Sequence, residues 1–163
     1  MFENKPKTPP KPLSGSRLRS LAFALLAKRE YSQAGLRKKL LELGASSDEL
    51  DPLLEELAQQ NYQSDERMAG MVMRSQIRQG KGPQRIKMAL KKYEIDQSLL
   101  VDELKDVDWF EEALQLKNRK FGTAVSTDPK IKAKQVRFLQ YRGYAMDVIL
   151  KVIQYENDED ISL

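Results

Sequence analysis

Apolar residues recur along this chain at three- and four-residue steps and never in sustained alternation, so the pattern predicts helices and no sheet. A first helix runs from about Ser16 to Arg29, with Leu18, Leu21, Ala22, Leu25 and Leu26 on one face. Ser32 is placed to cap a second helix through Leu36, Leu40 and Leu43, which Gly44 ends. Ser46-Ser47-Asp48-Glu49 fits a capping box for a third, carrying Leu50, Leu53, Leu54 and Leu57, with Pro52 tolerated in its first turns. A second set opens at Ser64-Asp65-Glu66-Arg67, with Met68, Met71, Val72 and Ile77 on a helix that ends near Gly80. Pro83 starts the next helix, with Ile86 and Leu90 buried, and Asp96 caps the helix of Leu99, Leu100 and Leu104. A third set begins near Asp108-Trp109, carries Ala113, Leu114 and Leu116, and ends its first helix at Phe121-Gly122. After a longer loop from Thr123 to Thr127, Asp128-Pro129 starts a basic helix through Val136 and Leu139, stopped by Gly143. The last helix holds Val148, Ile149, Val152 and Ile153.

The three sets share one register. Leu40, Leu90 and Leu139 correspond, as do Leu50, Leu100 and Ile149, and Leu54, Leu104 and Ile153, at offsets of 50 and then 49 residues. A fixed offset with helical spacing inside it signals repeated helical units that bury their apolar faces against neighbours. The expected fold is all-α, three tandem three-helix repeats in an elongated array that can curve. The repeats are expected at residues 15–62, 63–106 and 107–155, between a disordered basic tail at 1–14 and an acidic C-terminal tail at 156–163.

Composition narrows the chemistry. The chain has 163 residues, 40% of them hydrophobic and 32% charged, as suits a soluble helical protein. No apolar run approaches the ~18 residues that span a bilayer. Met1 to Pro12 has no apolar stretch of the kind a secretory signal needs, so the expected compartment is the cytoplasm. With zero Cys and zero His, the usual zinc ligands and nucleophile–base pairs are missing. Carboxylate-only sites remain open, but the acids lie in runs that read as solvated helix faces. The expectation is a protein without catalysis, metal or cofactor.

Charge is segregated although the net value is only +4. Arg74 to Lys92 holds seven basic residues and no acid, and Lys117 to Arg142 holds eight against Asp128 alone. Glu42 to Glu66 and Glu94 to Glu112 are correspondingly acidic, with eight acids each. The basic blocks can meet phosphate or can be solvated faces balanced by their neighbours; recurrence in each unit favours binding. Gly80-Lys81-Gly82-Pro83 admits two readings. Amides at a helix start beside Lys81 and Arg85 could hold a phosphate, or Gly80 simply ends one helix and Pro83 starts another. The spacing is not that of a P-loop. Arg119-Lys120-Phe121 and the stretch from Arg137 to Tyr144 interleave cations with rings, a mixture suited to single-stranded nucleic acid. Phe138 and Tyr144 are expected in the core, as are the Met residues at 68, 71 and 73, with Trp109 packing between units; Arg137, Tyr141 and Arg142 stay open between binding and solvation.

These residues resemble a known family. Tyr31-Ser32-x-x-x-Leu36-Arg37-x-x-Leu40, Asp65-Glu66-Arg67 and Gln79-Gly80-Lys81-Gly82-Pro83-x-Arg85-Ile86 occur in order, followed by Arg119-Lys120-Phe121-Gly122 and Lys134-x-x-Arg137-Phe138-Leu139-x-x-Arg142-Gly143-Tyr144. Together, over about residues 17–155, they resemble the bacterial RecX family. One departure is Tyr93-Glu94, where that family commonly has a Gly before the residue equivalent to Ile95. The resemblance implies a negative modulator of RecA that binds the RecA nucleoprotein filament and suppresses its ATPase, strand-exchange and co-protease activities in DNA repair and the SOS response. It also implies binding to single- and double-stranded DNA. The contact residues expected on this basis are Lys81, Arg85, Lys87, Arg119, Lys120, Arg137, Tyr141 and Arg142, on a monomer. The alternative is a general DNA-binding helical repeat that affects RecA only by competing for DNA.

Overall fold

The computed structural model describes residues 12–156. Among them it is all-α, with nine α-helices, one 3-10 helix and no strand. The helices are α1 (Gly15–Lys28), α2 (Gln33–Glu42), α3 (Ser47–Gln59), α4 (Asp65–Arg78), α5 (Pro83–Lys92), α6 (Val101–Asp106), α7 (Trp109–Phe121), α8 (Pro129–Tyr141) and α9 (Met146–Ile153). The 3-10 helix, Gln97–Leu100, leads directly into α6. No helix among the described residues is long and apolar enough to cross a membrane.

The internal repeat is visible in how helices end. After α2, α5 and α8 the chain turns through a left-handed residue, Gly44, Glu94 and Gly143 in turn. In each case the next amide reaches back to the same place: Ala45 to the Leu40 carbonyl, Ile95 to Leu90 and Tyr144 to Leu139, at 3.0, 3.0 and 3.2 Å. The left-handed residue's own amide bonds to Leu41, Lys91 or Gln140. This doubled closure satisfies carbonyls that a helix end would otherwise orphan, and it turns a hydrophobic residue inward. Ala45, Ile95 and Tyr144 are all buried accordingly. Ser32, Asp96, Asp108 and Asp128 cap the helices that follow them.

The described residues divide into two compact units, with the boundary after Met68, inside α4. The first is cored by Leu18, Ala22, Leu36, Leu40, Leu50, Leu53, Leu54 and Leu57. Two expectations are corrected there. Leu13, assigned to the tail, is buried, and its amide donates to the Gly44 carbonyl at 3.3 Å. Glu49 does not close a capping box on Ser46; its carboxylate accepts from the Gly15 amide instead, so it caps α1 rather than its own helix. Residues 1–11 and 157–163 of the predicted tails lie outside the described residues.

In the second unit α7, α8 and α9 enclose Ala113, Leu114, Leu116, Leu139, Ile149, Val152 and Ile153. Lys117 on α7 is fully buried there, and its ammonium donates to the Ala124 carbonyl at 3.3 Å, which pins the long loop before α8. Burial pushes its pKa below the usual lysine value. Of the methionines expected inside, Met68 is buried but Met71 is exposed.

Glu94 occupies a left-handed position, φ 55°, that costs a side chain about 1 kcal/mol and costs glycine almost nothing. Glu94→Gly is therefore expected to raise the unfolding free energy by about 1 kcal/mol. A thermal melt showing a lowered midpoint for this variant would contradict that assignment.

Candidate nucleic-acid interface

The site begins with two turns pressed together in the second unit. The start of α5 meets the end of α8. The amides of Gly82 and Gln84 donate to the carbonyls of Arg142 and Gly143 at 2.8 and 3.0 Å. Arg85 Nε donates to the Tyr141 carbonyl at 2.9 Å. In return, Arg142 Nη1 donates to the Gln79 carbonyl at 3.0 Å, and the Tyr144 hydroxyl reaches the Gly80 carbonyl at 3.4 Å. Orphan donors of one helix start thus satisfy orphan acceptors of another helix end, with their dipoles opposed in sign.

Glycine is required at this contact. A Cβ on Gly82 would lie 2.7 Å from the Gly143 oxygen, and one on Gly143 would lie 2.8 Å from the Arg85 amide nitrogen. Of the two readings of Gly80-Lys81-Gly82-Pro83, the phosphate cradle is the one overturned. The α5 amides that would have held the anion are already bonded to α8.

The docking instead assembles a cleft of about 500 Å3 beside the turns, lined by Lys81, Arg85, Lys120, Phe138, Tyr141 and Arg142. Five of these were candidates from sequence. The other three candidates lie elsewhere: Lys87 is half-buried on α5, and Arg119 and Arg137 are exposed on α7 and α8, outside the cleft lining. Phe138, expected in the core, has two roles. It packs on the α7–α9 core and also lines the cleft. The signal for it was its spacing from Tyr141 and Arg142, three and four positions on, which puts all three on one face of the helix end.

Rings hold the cations. The Arg85 guanidinium lies 4.5 Å from the Tyr141 ring centre. Lys120 Nζ lies 4.4 Å from the Phe138 ring centre, and the Arg142 guanidinium 5.3 Å from it. Phe121 packs edge-on to Phe138 with centres 5.6 Å apart. A ring attracts a cation through its quadrupole but carries no charge, so it positions the cation without neutralising it. The ion pairs found among the described residues, Arg19–Glu56, Arg37–Asp51 and Arg67–Glu30, all belong to the first unit. The cleft cations therefore keep their charge available for an anion.

Tyr144 reports on the docking. Burial, reinforced by the Glu112 carboxylate and opposed by Arg142 and Arg119, pushes its phenol up to about 12. Because the unfolded phenol ionises first, near 10, stability tied to Tyr144 is intact below that pH and is lost as pH rises from there towards 12. An ultraviolet titration should show a phenol transition near pH 12 that Tyr144→Phe removes. Gly143→Ala, which forces the turns apart, should move that transition down towards 10. A Gly143→Ala protein with the transition unmoved would show that the contact does not bury this ring.

Comparison with known proteins agrees with the resemblance. Residues 64–101 match the family described as RecX, second three-helix domain, and residues 106–153 match RecX, third three-helix domain. The Regulatory protein RecX of Acinetobacter baylyi is 55% identical over 147 residues, covering 90% of this chain and 92% of that protein. Its counterpart in Halorhodospira halophila is 31% identical over 145 residues, covering 88% and 90%. The crystal structure of RecX from Lactobacillus salivarius shares the fold, with a TM-score of 0.71 at 22% identity over 85% of this chain and 94% of that one. The two family matches and the 55% identical relative, covered over nearly its whole length, show that this chain belongs to the RecX family.

Proposed function

We propose that this protein is a negative regulator of RecA that binds the RecA–DNA filament and suppresses its ATPase, strand-exchange and co-protease activities in DNA repair and the SOS response. It works as a cytoplasmic monomer, without catalysis or cofactor. Family membership supports the regulatory role. The single structural observation that carries the contact is the cleft in which Arg85, Lys120 and Arg142 are held by rings and carbonyls rather than by acids.

The physical logic is additive. The RecA filament offers a long repeating groove with DNA phosphate within reach, and a repeat protein can meet it at several points. Weak contacts joined on one chain bind together far more tightly than any does alone. The three repeats at 15–62, 63–106 and 107–155 supply those points, with Lys81, Arg85, Lys120, Tyr141 and Arg142 as the principal contact and Lys87, Arg119 and Arg137 as further basic positions. The acidic faces of α3 and α6 meet basic RecA loops or limit non-specific attachment to DNA.

The test is the DNA-dependent ATPase rate of RecA on single-stranded DNA, with this protein titrated well below the DNA-site concentration. The rate should fall at substoichiometric amounts. No change until the protein coats the DNA would make it a general DNA-binding repeat acting by competition. Removing cleft cations gives a second readout. In Lys81→Ala and Lys120→Ala, the log–log salt dependence of DNA affinity should each lose about one unit of slope. Unchanged slopes would remove those lysines from the phosphate contact.

A further inference from the structure

We infer that the cleft between the start of α5 and the end of α8 takes one unpaired base of a single strand, stacked on Tyr141, with its flanking phosphates on Lys81, Lys120 and Arg142. This rests on the reading that the cleft meets nucleic acid.

Tyr141 is 74% exposed, the most exposed large apolar or aromatic side chain among the described residues. An exposed tyrosine on a helix would ordinarily sample several rotamers. Here the Arg85 guanidinium lies over the ring, and Arg85 is itself fixed by its bond to the Tyr141 carbonyl. The ring is therefore positioned in advance while most of its surface stays open. A planar base can cover that surface and gain dispersion contact and release of water, which no phosphate supplies. The Arg85 cation across the ring adds to the attraction.

The other half of the cleft suits the backbone. Lys120 and Arg142 are both held at the Phe138 ring, and Arg142 spends one nitrogen on Gln79, leaving other donors of its fork unused by that bond. Lys81 follows Gly80 into the same cleft. Bases inside a duplex are stacked on one another and cannot reach a side-chain ring without being extruded. The same cations can meet duplex phosphates, but only an unpaired strand gains from Tyr141. An acidic protein surface would likewise use the cations and leave the ring without a partner.

The test compares two fluorescent oligonucleotides of equal length and charge, one oligothymidylate and one with an abasic backbone, bound to the full chain in anisotropy titrations. The protein should prefer the thymidylate strand by about tenfold, the order a single stacked base contributes. Tyr141→Ala should erase that preference, Tyr141→Phe should keep it, and affinity for a duplex of the same length should be unaltered in both variants. A preference that survives Tyr141→Ala, or a loss equal on strand and duplex, overturns the stacking. So does tight binding of an acidic polypeptide at the cleft with no strand preference at all. If the stacking fails while the wild-type protein still lowers RecA turnover substoichiometrically, the regulatory reading stands alone. If Tyr141→Ala erases the preference and the wild-type protein leaves RecA turnover untouched, the regulatory reading falls and the base site remains.

Discussion

Gly82 and Gly143 meet backbone to backbone, and the cleft of the second unit depends on that approach. Any side chain at either position would enter the space of Gly143 or Arg85 main-chain atoms. With both positions bare, three carbonyls at the end of α8 receive donors from the start of α5, and Arg142 and Tyr144 return bonds to the end of α4. Buried or half-buried backbone groups left unpaired would each cost a few kcal/mol, so the two turns are fixed by mutual need. Their role is to bring Lys81 and Arg85 to Lys120, Phe138, Tyr141 and Arg142.

Charge is treated differently in the two units. In the first, Arg19, Arg37 and Arg67 pair with Glu56, Asp51 and Glu30. Such exposed pairs contribute little stability, but they neutralise the arginines as binding groups. In the second, Arg85, Lys120 and Arg142 of the cleft rest on rings and carbonyls. Lys117 goes further, with its ammonium buried on a single carbonyl. Among the described residues no acid forms an ion pair with the cleft cations, so an incoming polyanion would meet them with their charge unspent.

Much of the fold was legible because local signals and packing agree. The three apolar registers, the caps at Ser32, Asp96 and Asp128, and the prolines at 83 and 129 each mark a helix that forms. The departure at Glu94 was also legible, and the chain accepts a strained left-handed glutamate to keep the same turn there. What failed was the use of local rules where distant partners compete. Glu49 has the spacing to cap its own helix, but the Gly15 amide claims it. The α5 amides have the look of an anion site, but α8 carbonyls reach them first. Leu13 sits among prolines and lysines, and its pairing with the Gly44–Ala45 turn draws it into the core of the first unit. The cleft shows both sides of this. Its residue types were readable as cations beside rings. The pairing of Arg85 with Tyr141, 56 positions apart, was not, because no spacing rule connects two turns of different repeats.

The most direct measurement is lysine-reactivity footprinting of the free protein and of the protein bound to RecA filaments on single-stranded DNA, read by mass spectrometry. Lys81 and Lys120 line the cleft, whereas Lys28 at the end of α1 does not. The account predicts that Lys81 and Lys120 lose reactivity in the complex while Lys28 keeps it. Lys81 and Lys120 as reactive in the complex as in the free protein would contradict it, and the cleft would not be where this protein meets its target.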